Sequence, residues 1–265
     1  MGNATALPGP YTPDTLAAQI LALGVGDGAL LLVHASYRAT RPVEGGPEGL
    51  IEGLRRAVGP RGTLVMPSFT RNDDEVFDPT ATPAAEDLGI VADSFWRQPQ
   101  VLRSDHPFAF AALGPQAAQV TADPVAFPPH GPESPIGRVW ELDGQVLLLG
   151  ADQDANTTLH LAELIAGVPY RATKHITLRR NGAPQRVDYE ENDHCCQGFA
   201  LLDDWLRSRR LQSEGQVGNA HCRLMRARDV VSVACEHLAQ EPTCFLHPRG
   251  SDCEECEEAW RSLAG

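Results

Sequence analysis

The sequence of 265 residues lacks the features that mark membrane, secreted and repetitive proteins. No apolar run reaches the roughly 18 residues of a membrane-spanning helix, and there is neither an internal repeat nor a low-complexity tract. The segment 1–10 contains neither a basic region nor an apolar core, so we expect no signal peptide. These absences predict a cytoplasmic globular protein without a membrane partner.

Positive charge is scarce, since 22 Lys and Arg residues stand against 35 Asp and Glu residues and the formal net charge is -13. Phosphate backbones repel an acidic chain, so we expect no nucleic acid as the main partner. The same charge is compatible with a cationic ligand.

Cysteine is absent before Cys195, although the chain has seven cysteines. A secreted disulfide framework would not leave most of the chain without a cross-link. We therefore expect reduced thiols, and metal binding is the alternative for the cluster near the C-terminus.

Helix and strand signals alternate along the chain and predict an α/β fold. Residues 12–14 open a helix that Gly24 ends, and the continuous apolar run 29–33 is typical of a buried parallel strand. A second helix from 45–47 and a strand over 63–66 repeat this order. The later expected elements are a loop over 67–87, a helix over 89–96, a strand over 108–113, a loop over 122–138, a strand over 145–149, a hairpin around Asn181 and Gly182, and helices over 199–209 and 224–237.

A histidine follows the strand 145–149 at the expected edge of the sheet. Asn156 or Thr157 can cap a helix that carries His160 and Glu163 in its first two turns. Open α/β sheets place their sites at this edge, and histidine accepts a proton near neutral pH. We therefore select His160 as a candidate base, with a surface histidine of no role as the alternative.

Several collinear segments of the chain form a recognisable set. They are 32–36 (LVHAS), 62–68 (GTLVMPS), 103–112 (RSDHPFAFAA), 134–135 (SP), 144–150 (GQVLLLG), 156–163 (NTTLHLAE), 168–170 (VPY), 190–196 (EENDHCC) and 253–256 (CEEC). Together they resemble the aminoglycoside 3-N-acetyltransferase family, and within it the type IV enzymes that act on apramycin and gentamicin. The resemblance extends from about residue 12 to residue 260.

The resemblance implies transfer of an acetyl group from acetyl-coenzyme A to the 3-amino group of a deoxystreptamine antibiotic, of the apramycin, gentamicin or tobramycin type, which gives antibiotic resistance. It implies an α/β sandwich in which helices flank a central mixed sheet. It also implies a single domain over 1–265, with a cysteine-containing tail over about 240–265 packed on it.

The resemblance further implies direct transfer with His160 as the general base, because an ammonium group must lose a proton before it attacks a thioester. Glu191 matches the acidic partner, which orients His160 or grips the substrate amine. Asp73 matches an acidic residue that holds the cationic sugar, and the adjacent Asp74 or Glu75 could take its place.

Two loop segments match the coenzyme-binding segments of the family. The first contains His34, Ala35, Ser36 and Tyr37, and the second contains Arg103 and Ser104. Loop amides and hydroxyls can bind phosphate, and arginine suits two-pronged phosphate contacts. No Gly-rich phosphate loop is present, and a packed histidine at a strand end is the alternative for His34.

The clustered cysteines suggest a structural zinc site. Cys253 and Cys256 have the spacing of a zinc knuckle, and Cys195 and Cys196 add two thiols, although adjacent cysteines are poor geometry for one ion. His194 and His247 are reserve ligands, whereas Cys222, Cys235 and Cys244 are expected in the core. Reduced buried thiols or a redox-labile pair are the alternatives to a metal.

Other functions remain open at this point. Cys195 or Cys196 could form an acyl-enzyme with help from a histidine. A zinc-stabilised protein could bind cationic sugars without chemistry, and the acceptor could be a biosynthetic amine. The oligomeric state stays open between a monomer and a homodimer.

Overall fold

The computed structural model describes residues 9–122, 127–180 and 182–263. Short 3-10 turns occur at Glu86–Leu88, Gln153–Ala155 and Gln197–Ala200. The helices and strands are, in chain order, α1 (Pro13–Leu23), β1 (Leu30–Ala35), α2 (Tyr37–Thr40), α3 (Gly46–Val58), β2 (Thr63–Pro67), α4 (Gly89–Trp96), β3 (Leu102–Arg103), β4 (Phe110–Leu113), α5 (Ala117–Thr121), α6 (Pro135–Glu141), β5 (Gln145–Leu149), α7 (Thr158–Ala166), β6 (Ala172–Arg180), β7 (Ala183–Glu191), α8 (Leu201–Arg209), β8 (Gln212–Val217), β9 (Ala220–Arg226), α9 (Ala227–Leu238) and α10 (Glu254–Ser262).

A seven-stranded mixed sheet with the order β3-β4-β2-β1-β5-β9-β8 forms the centre of the fold. β1 pairs in parallel with β2 and with β5, and the other pairs in this sheet are antiparallel. The carboxyl ends of β1, β2 and β5 therefore meet at one edge of the sheet.

Helices cover both faces of this sheet. Along β1, Leu30 and Leu32 pack into one hydrophobic cluster, and Leu31 and Val33 pack into the other, because successive side chains of a strand point to opposite faces. The first cluster contains residues of α5 to α10, and the second contains residues of α1, α3 and α4. Burial on both faces explains the continuous apolar strands, and the expected α/β sandwich with a mixed sheet is confirmed.

The first helix begins and ends where its sequence signals predict. The Thr12 hydroxyl accepts a hydrogen bond from the Thr15 amide at 3.2 Å, and Pro13 occupies the first turn, where a missing amide hydrogen has no cost. Gly24 ends the helix at φ 111°, a left-handed conformation that glycine adopts easily.

The structure differs from the expected helix over 224–237. β9 extends to Arg226, and α9 starts only at Ala227. The hairpin β8–β9, which the sequence analysis missed, turns at Gly218 and Asn219, with Gly218 at φ 59°. A Gly-Asn pair between two short strands is a hairpin signal. Because β9 pairs with β5, this hairpin forms one end of the main sheet.

Part of the expected loop over 122–138 is helical. α6 begins directly after Ser134, whose hydroxyl accepts a hydrogen bond from the Gly137 amide at 3.2 Å. Serine before proline is a helix start of the kind seen in α1. Residues 123–126 of this loop, and Asn181 of the expected hairpin turn, lie outside the described residues.

The expected hairpin is confirmed as a separate two-stranded sheet of β6 and β7. The pairing runs from Ala172 opposite Glu191 to the residues next to the turn. An isolated bridge between Val76 and Thr177 joins the long loop 67–87 to this hairpin. Residues of both segments line one cavity together with residues at the ends of β1, β2 and β5.

The C-terminal helix α10 packs on the main core. Cys256 and Ala259 are buried in the same cluster as residues of α7 and α9. The Trp260 indole donates a hydrogen bond to the His247 carbonyl at 2.7 Å, and the Ser262 hydroxyl accepts one from the Arg171 amide at 3.0 Å. Among the described residues, no helix is both long and apolar enough to cross a bilayer.

Candidate active site

A cavity of about 850 Å³ opens at the edge of the sheet where β1, β2 and β5 end. Its wall contains residues that directly follow these strands, among them Ser36 and Ala151. Loops and hairpins from outside the sheet complete it, including residues of 67–87 and 189–196. This is the position at which open α/β sheets bind ligands.

His160 lies in the first turn of α7, at the wall of this cavity. The Asn156 side chain lies just before the helix, where its carbonyl oxygen accepts a hydrogen bond from the Thr158 amide at 3.2 Å. Glu163 lies three residues after His160, a spacing that places both side chains on one helix face. The Nδ1 of His160 is 3.1 Å from Oε2 of Glu163.

Glu163 is fully buried and is the centre of a hydrogen-bond network. Its carboxylate accepts hydrogen bonds from the Tyr170 hydroxyl and from Nε2 of His194, the latter at 2.8 Å. Burial acts to raise the pKa of Glu163, but hydrogen bonds from His160 and His194 outweigh burial and lower it to about 2. The carboxylate is therefore charged and holds His160 with Nδ1 as the donor.

The second ring nitrogen of His160 faces a thiol. Its Nε2 is 3.6 Å from Sγ of Cys196, and that Sγ is in turn 3.4 Å from the carbonyl oxygen of His194. Burial acts to lower the pKa of His160, but Cys196 and Glu163 together raise it well above the usual range. A raised pKa makes the neutral imidazole a stronger base, which is available above that pKa.

Glu191 ends β7. One form of its predicted role required it to orient His160, but among the described residues no hydrogen bond joins these two side chains. The carboxylate on Nδ1 of His160 is Glu163, because the two residues share a helix face. Oε2 of Glu191 is buried without a hydrogen-bond partner among the described residues and lies 4.0 Å from Nδ1 of His130. Burial, together with Asp193 and Asp73, raises the pKa of Glu191 to about 7.

His130 is a wall residue to which the sequence analysis assigned no role. Its ring centre is 5.0 Å from that of His160 and 5.4 Å from that of Phe108. Burial and the proximity of His160 and His106 lower its pKa well below the usual range, so the imidazole is neutral. Its position in a Pro-rich loop left no helix or strand periodicity that could have indicated it.

The hairpin and the loop 67–87 contribute acidic side chains to the wall. Asp73 lines the cavity, and burial raises its pKa. Asp74 points away from the cavity and lies 3.0 Å from the His175 side chain, and Glu75 is likewise not a wall residue. The structure thus favours Asp73 over its two neighbours.

The predicted segment after β1 lines the same cavity. His34 is buried, and burial lowers its pKa to about 4, so the ring is neutral. Its Nε2 is 3.4 Å from the Thr157 hydroxyl. The wall in this region consists of His34, Ala35, Ser36 and Tyr37, which the sequence indicated, and of the exposed Arg38 and Arg41, which it missed.

Arg103 and Ser104, for which the sequence predicted coenzyme contacts, do not line this cavity. The Arg103 guanidinium donates to the hydroxyl and carbonyl of Ser68 and to the Thr82 carbonyl, and it packs over the Trp96 ring. The Ser104 hydroxyl is buried and accepts a hydrogen bond from a backbone amide. Because these polar atoms are already used, the structure favours a bracing role for both residues instead of the predicted coenzyme contact.

The predicted set of four cysteines divides into two groups. The sulfurs of Cys195, Cys253 and Cys256 all lie within 4.8 Å of one another. Cys196 does not belong to this cluster, because its side chain turns toward His160. The adjacent thiols thus point to different places, as the poor geometry of neighbouring cysteines suggested.

The model of the family described as aminoglycoside 3-N-acetyltransferase matches residues 32–239 of the chain. The chain belongs to this family. Aminoglycoside N(3)-acetyltransferase IV of Salmonella sp is 60% identical to it over 233 residues, which cover 88% of this chain and 89% of the relative. The resemblance read from the sequence is therefore confirmed, and the protein is an enzyme of the aminoglycoside 3-N-acetyltransferase class.

Solved structures of this family share the fold. The apoenzyme of AAC(3)-IVa matches with a TM-score of 0.95 and 56% identity, covering 97% of this chain and 99% of that chain. A histidine-to-alanine mutant of AAC(3)-IVa in complex with apramycin matches with a TM-score of 0.89 and 55% identity, over 94% and 100% of the two chains. The same mutant also has a structure in complex with gentamicin. AAC-IIIb in a binary complex with CoASH matches with a TM-score of 0.80 and 27% identity, over 87% and 97%.

Proposed function

We propose that this enzyme transfers the acetyl group of acetyl-coenzyme A to the 3-amino group of aminoglycosides of the gentamicin and apramycin type, and so gives antibiotic resistance. The observation that carries the proposal is His160, held by the buried Glu163 at the wall of the large cavity. The complexes of AAC(3)-IVa with gentamicin and apramycin support the choice of acceptor. The CoASH complex of AAC-IIIb supports the choice of donor.

His160 acts as the general base through Nε2. It takes a proton from the 3-ammonium group, and the neutral nitrogen then attacks the thioester carbonyl. A carbon–nitrogen bond forms and the carbon–sulfur bond breaks. The nitrogen then loses its second proton, which the departing coenzyme A thiolate takes up. Glu163 is a positioning residue, because it accepts the Nδ1 hydrogen and thereby keeps the lone pair on the opposite nitrogen.

Glu191, Asp73 and His130 bind the cationic antibiotic next to the base. Oε2 of Glu191 is buried and lacks a partner among the described residues, so an incoming ammonium group would supply the missing hydrogen bond. With a pKa near 7, Glu191 is partly protonated in the empty site, and a bound cation shifts it to the carboxylate. The neutral His130 avoids a repelling charge beside that cation.

The segment after β1 binds coenzyme A. Arg38 and Arg41 are exposed at the cavity wall, and guanidinium groups are the side chains best suited to phosphate. His34 and Ser36 offer neutral polar atoms to the pantetheine arm. Arg38 and Arg41 thus replace Arg103 as the proposed phosphate contacts.

A covalent route through Cys196 is the second candidate mechanism, favoured by the 3.6 Å distance between its Sγ and Nε2 of His160. In this route the thiolate attacks the thioester, coenzyme A leaves as a thiolate, and the amine then displaces the enzyme sulfur from the acetyl group. Direct transfer is our choice, because the Cys196 sulfur donates its hydrogen to the His194 carbonyl instead of to Nε2 of His160.

We further propose that the chain works as a single domain, as a monomer or homodimer. A structural zinc ion is bound at the cysteine cluster. The chain acts in the cytoplasm, since no disulfide joins its seven cysteines, all of which lie among the described residues, and acetyl-coenzyme A is a co-substrate of that compartment.

The test is acetyl-coenzyme A turnover with gentamicin, apramycin and neomycin, followed by mass spectrometry of the product. We expect one added acetyl group on the 3-amine of gentamicin and apramycin. Acetylation of none of these antibiotics would overturn the proposed function. Acetylated enzyme in a mixture without acceptor, together with loss of turnover in Cys196→Ala, would replace direct transfer by the covalent route.

A further inference from the structure

Three cysteines from two distant segments converge beside the catalytic cavity, whose wall includes Cys195. Cys195 follows the hairpin, whereas Cys253 and Cys256 flank the start of α10. Sγ of Cys195 and Sγ of Cys256 are 3.7 Å apart, and all three sulfurs lie within 4.8 Å of one another. A tetrahedral zinc ion with bonds of about 2.3 Å separates its sulfur ligands by about 3.8 Å. The cluster therefore has the dimensions of a zinc–thiolate site.

Sγ of Cys256 also receives a backbone hydrogen bond, since the amide of His247 donates to it at 3.4 Å. An amide hydrogen directed at sulfur stabilises the negative charge of a thiolate. Three sulfur atoms from two segments of the chain thus form a donor set that a soft or borderline cation can bind.

We propose that Cys195, Cys253 and Cys256 bind one zinc ion as thiolates, without Cys196. Three thiolates select soft or borderline metals, of which zinc is the common structural one. The open side of the cluster faces a pocket of about 650 Å³ whose wall includes His247 and Asp252. The fourth ligand, a water or a side chain, comes from this pocket. A disulfide accounts for the cluster less well, because its bond length is about 2.0 Å and it would leave one cysteine over.

The bound zinc ion links the loop that contains Cys195, which lines the cavity, to α10. Cys195 lies between His194, which donates to Glu163, and Cys196, which contacts His160. Metal binding thus fixes the backbone on which two groups of the His160 network sit. This consequence rests on the proposed function, whereas the metal site itself does not.

The experiment measures metal rather than activity. Wild-type protein purified without chelator should contain about one zinc per chain by elemental analysis, because several thiolate ligands hold zinc tightly. Replacement of zinc by Co²⁺ should give the thiolate-to-cobalt charge-transfer absorption. Cys253→Ser is the test variant, since Cys253 is only partly buried and its loss leaves the core intact. Cys244→Ser is the matched control, a partly buried cysteine outside the cluster.

Removal of even an outer-shell partner of a metal costs about 10–100-fold in affinity, so we expect Cys253→Ser to bind zinc at least about 100-fold more weakly. Cys244→Ser should bind it as the wild type does. Folded, reduced wild-type protein that takes up neither zinc nor Co²⁺ would overturn the proposal, as would unchanged affinity in Cys253→Ser. A failure of the proposed function would instead be seen as zinc-loaded protein without acetyl transfer.

Discussion

At the scale of single residues, His160 owes its proposed role to different partners on its two ring nitrogens. Glu163 holds Nδ1 as a donor, and Nε2 is left at the cavity wall. The sequence predicted His160 because a strand, a capping asparagine and a helix follow one another. The resemblance offered Glu191 as the orienting carboxylate, although the spacing of Glu163 three residues after His160 was visible in the sequence. The sequence did not show that Tyr170 and His194 contact the Glu163 carboxylate, because these residues come together only in the folded chain.

His160→Ala tests the base directly. We expect kcat to fall about 10²–10⁴-fold, or roughly 3–5 kcal/mol of barrier, because a positioned base supplies about that much. Coenzyme A binding, measured by calorimetry, should stay nearly the same, since the arginines proposed for the phosphates lie on α2 and just after it. A variant that keeps more than about a tenth of the wild-type kcat at saturating substrate would assign the proton to another acceptor.

The pH dependence separates the orienting carboxylate from the base. The rate rises with pH as His160 loses its proton, and the Glu163 carboxylate is one of the groups that raise the His160 pKa. Glu163→Gln should therefore lower that pKa and move the acidic limb of the kcat/KM profile to lower pH, with a reduced plateau.

Tyr170→Phe is the matched control for this profile. It removes one hydrogen bond to Glu163 but keeps the charge. Its acidic limb should stay near the wild-type position. An acidic limb that is identical in Glu163→Gln and in the wild type would show that this carboxylate does not act on the titrating group.

At the scale of elements, the buried strands of the sheet were easier to predict from the sequence than the edge hairpin and the loops around them. The strands of the central sheet could be predicted because both of their faces are buried, which leaves an unbroken apolar run. β8 and β9 are polar on one side, and only the Gly-Asn turn indicated them. Arg103 was recognised as part of a motif, but its contacts come from Ser68 and Thr82 of a loop whose course no local pattern determines.

The loop 67–87 provides two neighbouring carboxylates that serve as test and control. Asp73 lines the cavity, whereas Asp74 pairs with His175 outside it. Asp73→Asn should raise the KM for the antibiotic with little effect on kcat, because it removes attraction for a polycation and not a reacting group.

The effect of Asp73→Asn should shrink at high salt, where charges that are partly exposed are screened. Steady-state kinetics at low and high ionic strength measure both effects. Asp74→Asn should leave KM unchanged at either salt concentration. If both variants raised KM equally, a diffuse charge of the loop would be responsible instead of a specific contact.

At the scale of the whole molecule, the cysteine-rich tail is the part whose role depends most on packing. The spacing of Cys253 and Cys256 predicted a metal site, but the exclusion of Cys196 required the folded loop, in which neighbouring side chains point apart. Burial of Cys256 and Ala259 together with residues of α7 and α9 places the tail in the main core.

Ala259→Asp therefore tests whether the tail and the remainder unfold as one unit. An unpaired carboxylate at a buried position costs several kcal/mol or becomes protonated, so we expect a free energy of unfolding lower by about 3 kcal/mol or more. Glu258→Asp, at the exposed neighbouring position, should change it by less than about 0.5 kcal/mol. Urea unfolding followed by far-UV circular dichroism and by tryptophan fluorescence measures both variants.

If the chain is a single domain, the unfolding transitions seen by the two probes should shift together, because α10 shares its core with α7. A separate early transition of the tail, with the main transition unmoved, would instead make residues 240–265 an appendage.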